Sequence, residues 1–150
     1  MIEEKKYFTI REAEKMIPEL SKKILQLNRF KERMYILMNS KKVMDNVIEV
    51  TNEEGFEFLI TKEVKINREF HKIAYKFYKM LDELNGTGVI VKDTDFGIVD
   101  FYHKLSGRTV FLCWHLGERR IAHWHEIDDD YEERKKIIFL LPAKKRKNLA

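Results

Sequence analysis

Apolar residues recur along the first third of the chain with the spacing of one helix face. They run Ile10, Ala13, Ile17, Leu20, Ile24, Leu27, Met34 and Met38, in steps of three and four broken only where Lys31 takes an expected apolar place. Thr9 and Glu12 form a capping box at the head of this run, the arrangement that satisfies two free N–H groups at a helix start. Pro18 falls inside it, and predicts a kink or a short helix followed by a long one. A second stripe reads Phe56, Leu59, Ile66, Phe70, Ile73, Phe77, Met80 and Leu84, closed by Gly86. The first helix is expected to reach about Val50, with Asn52 to Gly55 as the turn before the second. Two long helices with matching stripes make an antiparallel hairpin over about residues 9–85, packed through Ile17, Leu20, Ile24 and Leu27 against Ile66, Phe70, Ile73 and Phe77.

After Gly86 the period changes from helix to strand. Val89 to Val91, Ile98 to His103, Thr109 to His115 and Arg120 to Glu126 read as strands. Between them stand Asp93 to Gly97, Leu105-Ser106-Gly107 and Gly117-Glu118-Arg119 as turns. Gly117 is expected at positive φ. Asp128-Asp129-Asp130 ends the sheet. The fold expected is α+β: a helical hairpin, then an antiparallel sheet of about four strands over about residues 88–127, in one domain spanning 1–142.

Charge changes the picture at one end. Seven basic residues and no acidic one lie between Arg134 and Ala150, which leaves 22 basic against 25 acidic residues in the remainder. The body is thus mildly acidic, and the sequence pI of about 9.0 comes from the tail. Residues 143–150 are expected to be mobile, and a basic tail is a candidate contact for nucleic acid. The start, Met1 to Lys6, has no apolar core of a signal peptide, and no run of 18 apolar residues exists, so no membrane contact is expected. The single cysteine, Cys113, cannot pair within the chain and fits a reducing cytoplasm.

Candidate chemistry is concentrated between Cys113 and Asp130, in CWHLGERRIAHWHEIDDD. His123 and His125 share one face of a strand, with Ala122, Trp124 and Glu126 on the other. Two imidazoles so spaced converge on one cation, and zinc, iron, nickel and manganese are all compatible with imidazole and carboxylate. The third ligand stays open among Glu118, Asp128, Asp129, His115 and His103, with Asp100 depending on hairpin register. The ligand set taken forward is His123, His125, Glu118 and Asp129. The competing reading is two amphipathic histidines on a half-buried sheet face, bonded to carboxylates. Cys113 reads as a small core residue. No dinucleotide, phosphate-loop or serine-hydrolase motif is present, so no catalytic residue and no organic cofactor is assigned.

These residues also carry a resemblance. Gly97-Ile98-Val99-Asp100-Phe101, Leu112-Cys113-Trp114 with Leu116-Gly117-Glu118, Trp124-His125-Glu126 and Arg134, with the opening Tyr7-Phe8-Thr9 and Ile17-Pro18-Glu19-Leu20, are similar to the prokaryotic domain-of-unknown-function family 2203. The resemblance implies a cytoplasmic protein of helices followed by a short sheet. It places Trp114, Gly117, Glu118, Trp124, His125 and Glu126 on the family pattern and implies no activity. Two functions follow as alternatives. One is a cytoplasmic metal-binding protein, extending to a metal-dependent hydrolase, centred on the histidine ribbon. The other is a non-enzymatic module whose hairpin forms a homodimer and whose tail contacts nucleic acid.

Overall fold

The computed structural model describes residues 4–39, 47–53, 56–61 and 64–139. The fold is α+β: two helices forming a hairpin, α1 (Ile10–Met38) and α2 (Val64–Gly86), followed by a five-stranded antiparallel sheet. The chain divides into two compact units, Met1–Ile24 with Glu83–Ala150, and Leu25–Asp82. The expected tail, 143–150, lies outside the described residues.

In the unit Leu25–Asp82, Phe70 is 4 % exposed. It packs against Met34, Leu37 and Met38 near the end of α1 and Ile66 near the start of α2, the contact an antiparallel hairpin makes at its turn. Arg33 Nη2 pairs with Glu69 Oε1 at 2.8 Å alongside it. The helix does not run on to Val50, and Phe56 and Leu59 are not helical. Strand β1 (Val47–Glu53) pairs antiparallel with β2 (Phe56–Thr61), Glu53 opposite Phe56. The local sequence explains the correction. Val47, Ile48, Val50 and Thr51 are β-branched, and Phe56 to Thr61 is aromatic and β-branched, so strand propensity prevails over an extended helical period.

In the other unit α1 is a single helix through Pro18. Its capping box is closed in both directions: the Thr9 N–H donates to Glu12 Oε1 at 3.2 Å, and the Glu12 N–H donates to Thr9 Oγ1 at 3.1 Å. Those bonds from Thr9 hold the Glu12 carboxyl below the usual carboxylate range. The sheet runs in chain order: β3 (Ile90–Asp93), β4 (Ile98–Leu105), β5 (Arg108–His115), β6 (His123–Glu126) and β7 (Lys135–Lys136). Ser106 and Gly107, both at positive φ, join β4 to β5 in the two-residue turn whose twist suits paired strands. The sheet does not stop at the three aspartates. A 3₁₀ turn, Tyr131–Glu133, returns the chain so that β7 pairs with β6 and the Ile137 N–H donates to the Ala122 carbonyl at 2.9 Å. Two lysines in a row carry no strand signal, but they are what an edge strand tolerates.

Candidate functional site

Register decides which side chains meet. Asp100 lies opposite Cys113, Cys113 opposite His123, and Phe111 opposite His125. Directly opposed residues share a face, so Asp100, Tyr102, Phe111, Cys113, His123 and His125 occupy one side of the sheet. Val99, Phe101, Val110, Leu112, Trp114 and Trp124 occupy the other, and all of these are buried. Phe8 stands edge-on to Phe101 on that apolar side, and Glu14 of α1 accepts the Ile121 N–H at 3.3 Å.

The polar side holds an unusual centre. Asp100 is 1 % exposed and His125 3 % exposed, and they are the polar residues buried among those described. His125 Nε2 stands 3.0 Å from Asp100 Oδ2, and its Nδ1 stands 2.7 Å from the Glu126 carbonyl. An acceptor oxygen thus stands at each ring nitrogen, an arrangement that favours the protonated ring. Burial pushes the His125 pKa down, but Asp100, the Glu126 carbonyl and the charge of Asp129 outweigh it and hold it above the usual histidine value. Asp100 Oδ1 has no hydrogen-bond partner although it is buried. Cys113, fully buried, brings its sulfur to the same place. One ligand atom from each of Asp100, Cys113 and His125 lies within 4.8 Å of the others. Burial, then the neighbouring Asp100 carboxylate, push the Cys113 thiol up to about 12. The thiol is therefore protonated and is no ready nucleophile. A cavity of about 220 Å³ adjoins the centre, lined by Asp100 and His125 with Lys92, Asp93, Asp129, Asp130 and Tyr131.

The ligand set read from the sequence is divided here. His125 and Asp129 both line the cavity, and the Asp129 carboxylate accepts the Glu126 N–H at 3.4 Å. His123 Nδ1 lies 3.3 Å from Glu118 Oε2, within ion-pair distance but without hydrogen-bond geometry. Burial and then the nearby Arg134 cation lower the His123 pKa. Glu118 acts as a strut: its Oε1 accepts the His115 N–H at 2.7 Å and Arg134 Nη1 at 3.0 Å. Trp114 Nε1 donates to the Glu118 carbonyl at 2.9 Å, and Gly117 takes φ +104°, so these three residues build the β5–β6 turn. Glu126 pairs with Arg108 at 2.7 Å, and Trp124 lies beneath the Arg108 and Lys135 cations. Asp100 reaches the centre because the β4–β5 register turns it to the histidine side. Cys113, read from the sequence as a small core residue, joins Asp100 and His125: an apolar strand context hides a sulfur whose neighbours are set only by pairing.

Fold and centre together define a class: an α+β protein with a buried carboxylate–thiol–imidazole group on the polar face of its sheet. The chain belongs to the uncharacterised conserved protein family DUF2203, whose model matches residues 6–137 and so spans every residue of that centre. No curated protein and no solved structure matches the chain. Among the described residues, no helix is long and apolar enough to cross a membrane.

Proposed function

We propose that the chain is a metal-binding protein in which Asp100, Cys113 and His125 hold one divalent transition metal, with hydrolysis as the chemistry such a centre serves. The observation that carries this reading is Asp100 Oδ1, a buried carboxylate oxygen with no partner, set beside a sulfur and an imidazole nitrogen. Leaving such an oxygen unpaired costs free energy that a bound cation would return. The Glu126 carbonyl on His125 Nδ1 supports the same reading, since it is the orienting bond that leaves Nε2 to face a metal. In the metal-free chain a proton takes the cation's place between Nε2 and Asp100, and metal binding displaces it together with the thiol proton.

The donor set narrows the metal. A thiolate with imidazole and carboxylate favours zinc, iron or nickel over manganese. Three protein ligands leave a fourth position, the pattern of catalytic rather than structural zinc. Water held there would be acidified toward neutrality, with Lys92, Tyr131, Asp129 and Asp130 around it in the cavity.

Cobalt substitution tests the reading without reference to activity. Wild-type protein loaded with Co²⁺ is expected to show a thiolate-to-cobalt charge-transfer band. Cys113→Ser should abolish that band and Asp100→Asn should alter it, with circular dichroism confirming the fold of each. A folded wild type that develops no cobalt absorption contradicts the proposal.

A further inference from the structure

The cavity of about 220 Å³ beside Asp100 and His125 has a wall that metal binding leaves unused. Apart from those two residues it is lined by Lys92, Asp93, Ile98, Asp129, Asp130 and Tyr131, so three carboxylates face one ammonium. We propose that this wall receives the cationic group of a small organic ligand, so that the substrate of the centre carries a protonated or quaternary amine close to the group that meets the metal. The inference rests on the metal reading for what lies beside the cavity, and adds the charge of what enters it.

The cations nearby are already engaged. Lys92 Nζ lies 5.2 Å from the Phe111 ring centre, drawn onto an aromatic face. Arg134 lies over the Tyr131 ring at 4.3 Å, and Glu118 Oε1 holds it at 3.0 Å. Among the described residues, no salt bridge neutralises Asp93, Asp129 or Asp130. Asp93 Oδ1 accepts the Phe96 N–H at 3.0 Å and Asp129 Oδ2 accepts the Glu126 N–H at 3.4 Å, bonds that fix both side chains and leave their charge in place. Asp130 stands at the head of the 3₁₀ turn but makes no side-chain capping bond. Crowding also shows outside the cavity: the bond to Asp129, then the Asp129 charge, hold the Glu133 carboxyl above the usual carboxylate range.

Acidic residues crowd on many surfaces without a ligand, and Asp100 sets this wall apart. It is 1 % exposed, it lines the same cavity, and its Oδ1 has no partner. A buried carboxylate oxygen left open beside three further carboxylates marks a place where positive charge is missing. Two features choose an organic cation over a second metal ion. Among the described residues, Asp100, Cys113 and His125 alone bring three ligand atoms within 4.8 Å of one another. Asp93, Asp129 and Asp130 are spread around the wall instead, a spacing that suits the diffuse charge of an amine. The volume also lies below the roughly 300–1,000 Å³ of drug-sized sites, so the group admitted is small, with Tyr131 and Ile98 to meet its carbon atoms.

The test uses two hydroxamates that differ only in charge at the far end. Trimethylammonioacetohydroxamic acid and its uncharged isostere tert-butylacetohydroxamic acid are titrated into the cobalt-loaded full chain, with the cobalt absorption as readout. The quantity measured is the ratio of the two affinities, wild type against the Asp129→Asn, Asp130→Asn double variant, which keeps an oxygen to accept the Glu126 N–H. The ratio is expected to favour the cationic probe in wild type, to fall about fivefold or more in the variant, and to shrink as salt is raised. Asp130→Asn alone, a change at an exposed residue, should lower the ratio in the same direction and tests the wall even if the double variant fails to fold. A ratio equal in wild type and variants overturns the inference, and so does a cobalt spectrum that neither hydroxamate alters; in both cases the metal reading stands. A folded wild type that develops no cobalt absorption contradicts the metal reading itself, and this inference with it.

Discussion

Glu118 lies at the rim of the β5–β6 turn, where its position among histidines suggests a ligand, yet its Oε1 already accepts two hydrogen bonds. Its charge-assisted bonds to the His115 N–H and to Arg134 close the turn from within. Glu118→Ala is therefore expected to cost about 2 kcal/mol in urea unfolding, whereas Glu118→Gln, which keeps one acceptor oxygen, should cost less. A loss below about 0.5 kcal/mol for the alanine variant would show that the strut is slack. His125 and Asp100 were legible to different degrees. Strand alternation puts His125 on a face with His123, but only the pairing of Asp100 with Cys113 reveals which acid and which sulfur come with it. A one-residue slip would have sent both to the apolar side.

At the scale of elements, the start of α1 was written in four residues. Thr9 and Glu12 bond reciprocally, and the consequence is measurable as pH dependence. The Glu12 pKa is depressed in the folded chain. Its contribution is therefore fully present above the unfolded carboxylate pKa and is lost as pH falls through the lower folded value. NMR titration is expected to place Glu12 below the ordinary glutamate range in wild type and to return it toward that range in Thr9→Ala. An unshifted wild-type Glu12 would contradict the cap. The helix stripes were equally legible, and Phe70→Ala, which empties the contact with Met34, Leu37 and Met38, is expected to cost about 3–5 kcal/mol in thermal or chemical unfolding. A cost under about 0.5 kcal/mol would mean the stripe is not packed. The β1–β2 hairpin was not legible in the same way. Phe56 and Leu59 fit a helical step by coincidence of spacing, while the β-branched composition around them set the structure. Strand β7 escaped because a two-residue edge strand has no period at all.

Across the whole molecule, the five-stranded sheet separates two kinds of burial. Its apolar side carries Val99, Phe101, Val110 and Leu112, which need only packing. Its other side buries a carboxylate, a thiol and a histidine, which packing alone does not satisfy. The centre is thus the place where the fold buries groups that packing does not satisfy, and the metal proposed above would account for the unpartnered oxygen, the oriented imidazole and the adjoining cavity together. The most direct measurement is metal content after loading with zinc and desalting, by elemental mass spectrometry on wild type and on the Asp100→Asn, Cys113→Ser double variant. The account predicts about one zinc per chain in wild type and almost none in the variant, with both folded. Folded wild type without zinc, or a variant that retains as much as wild type, would contradict it.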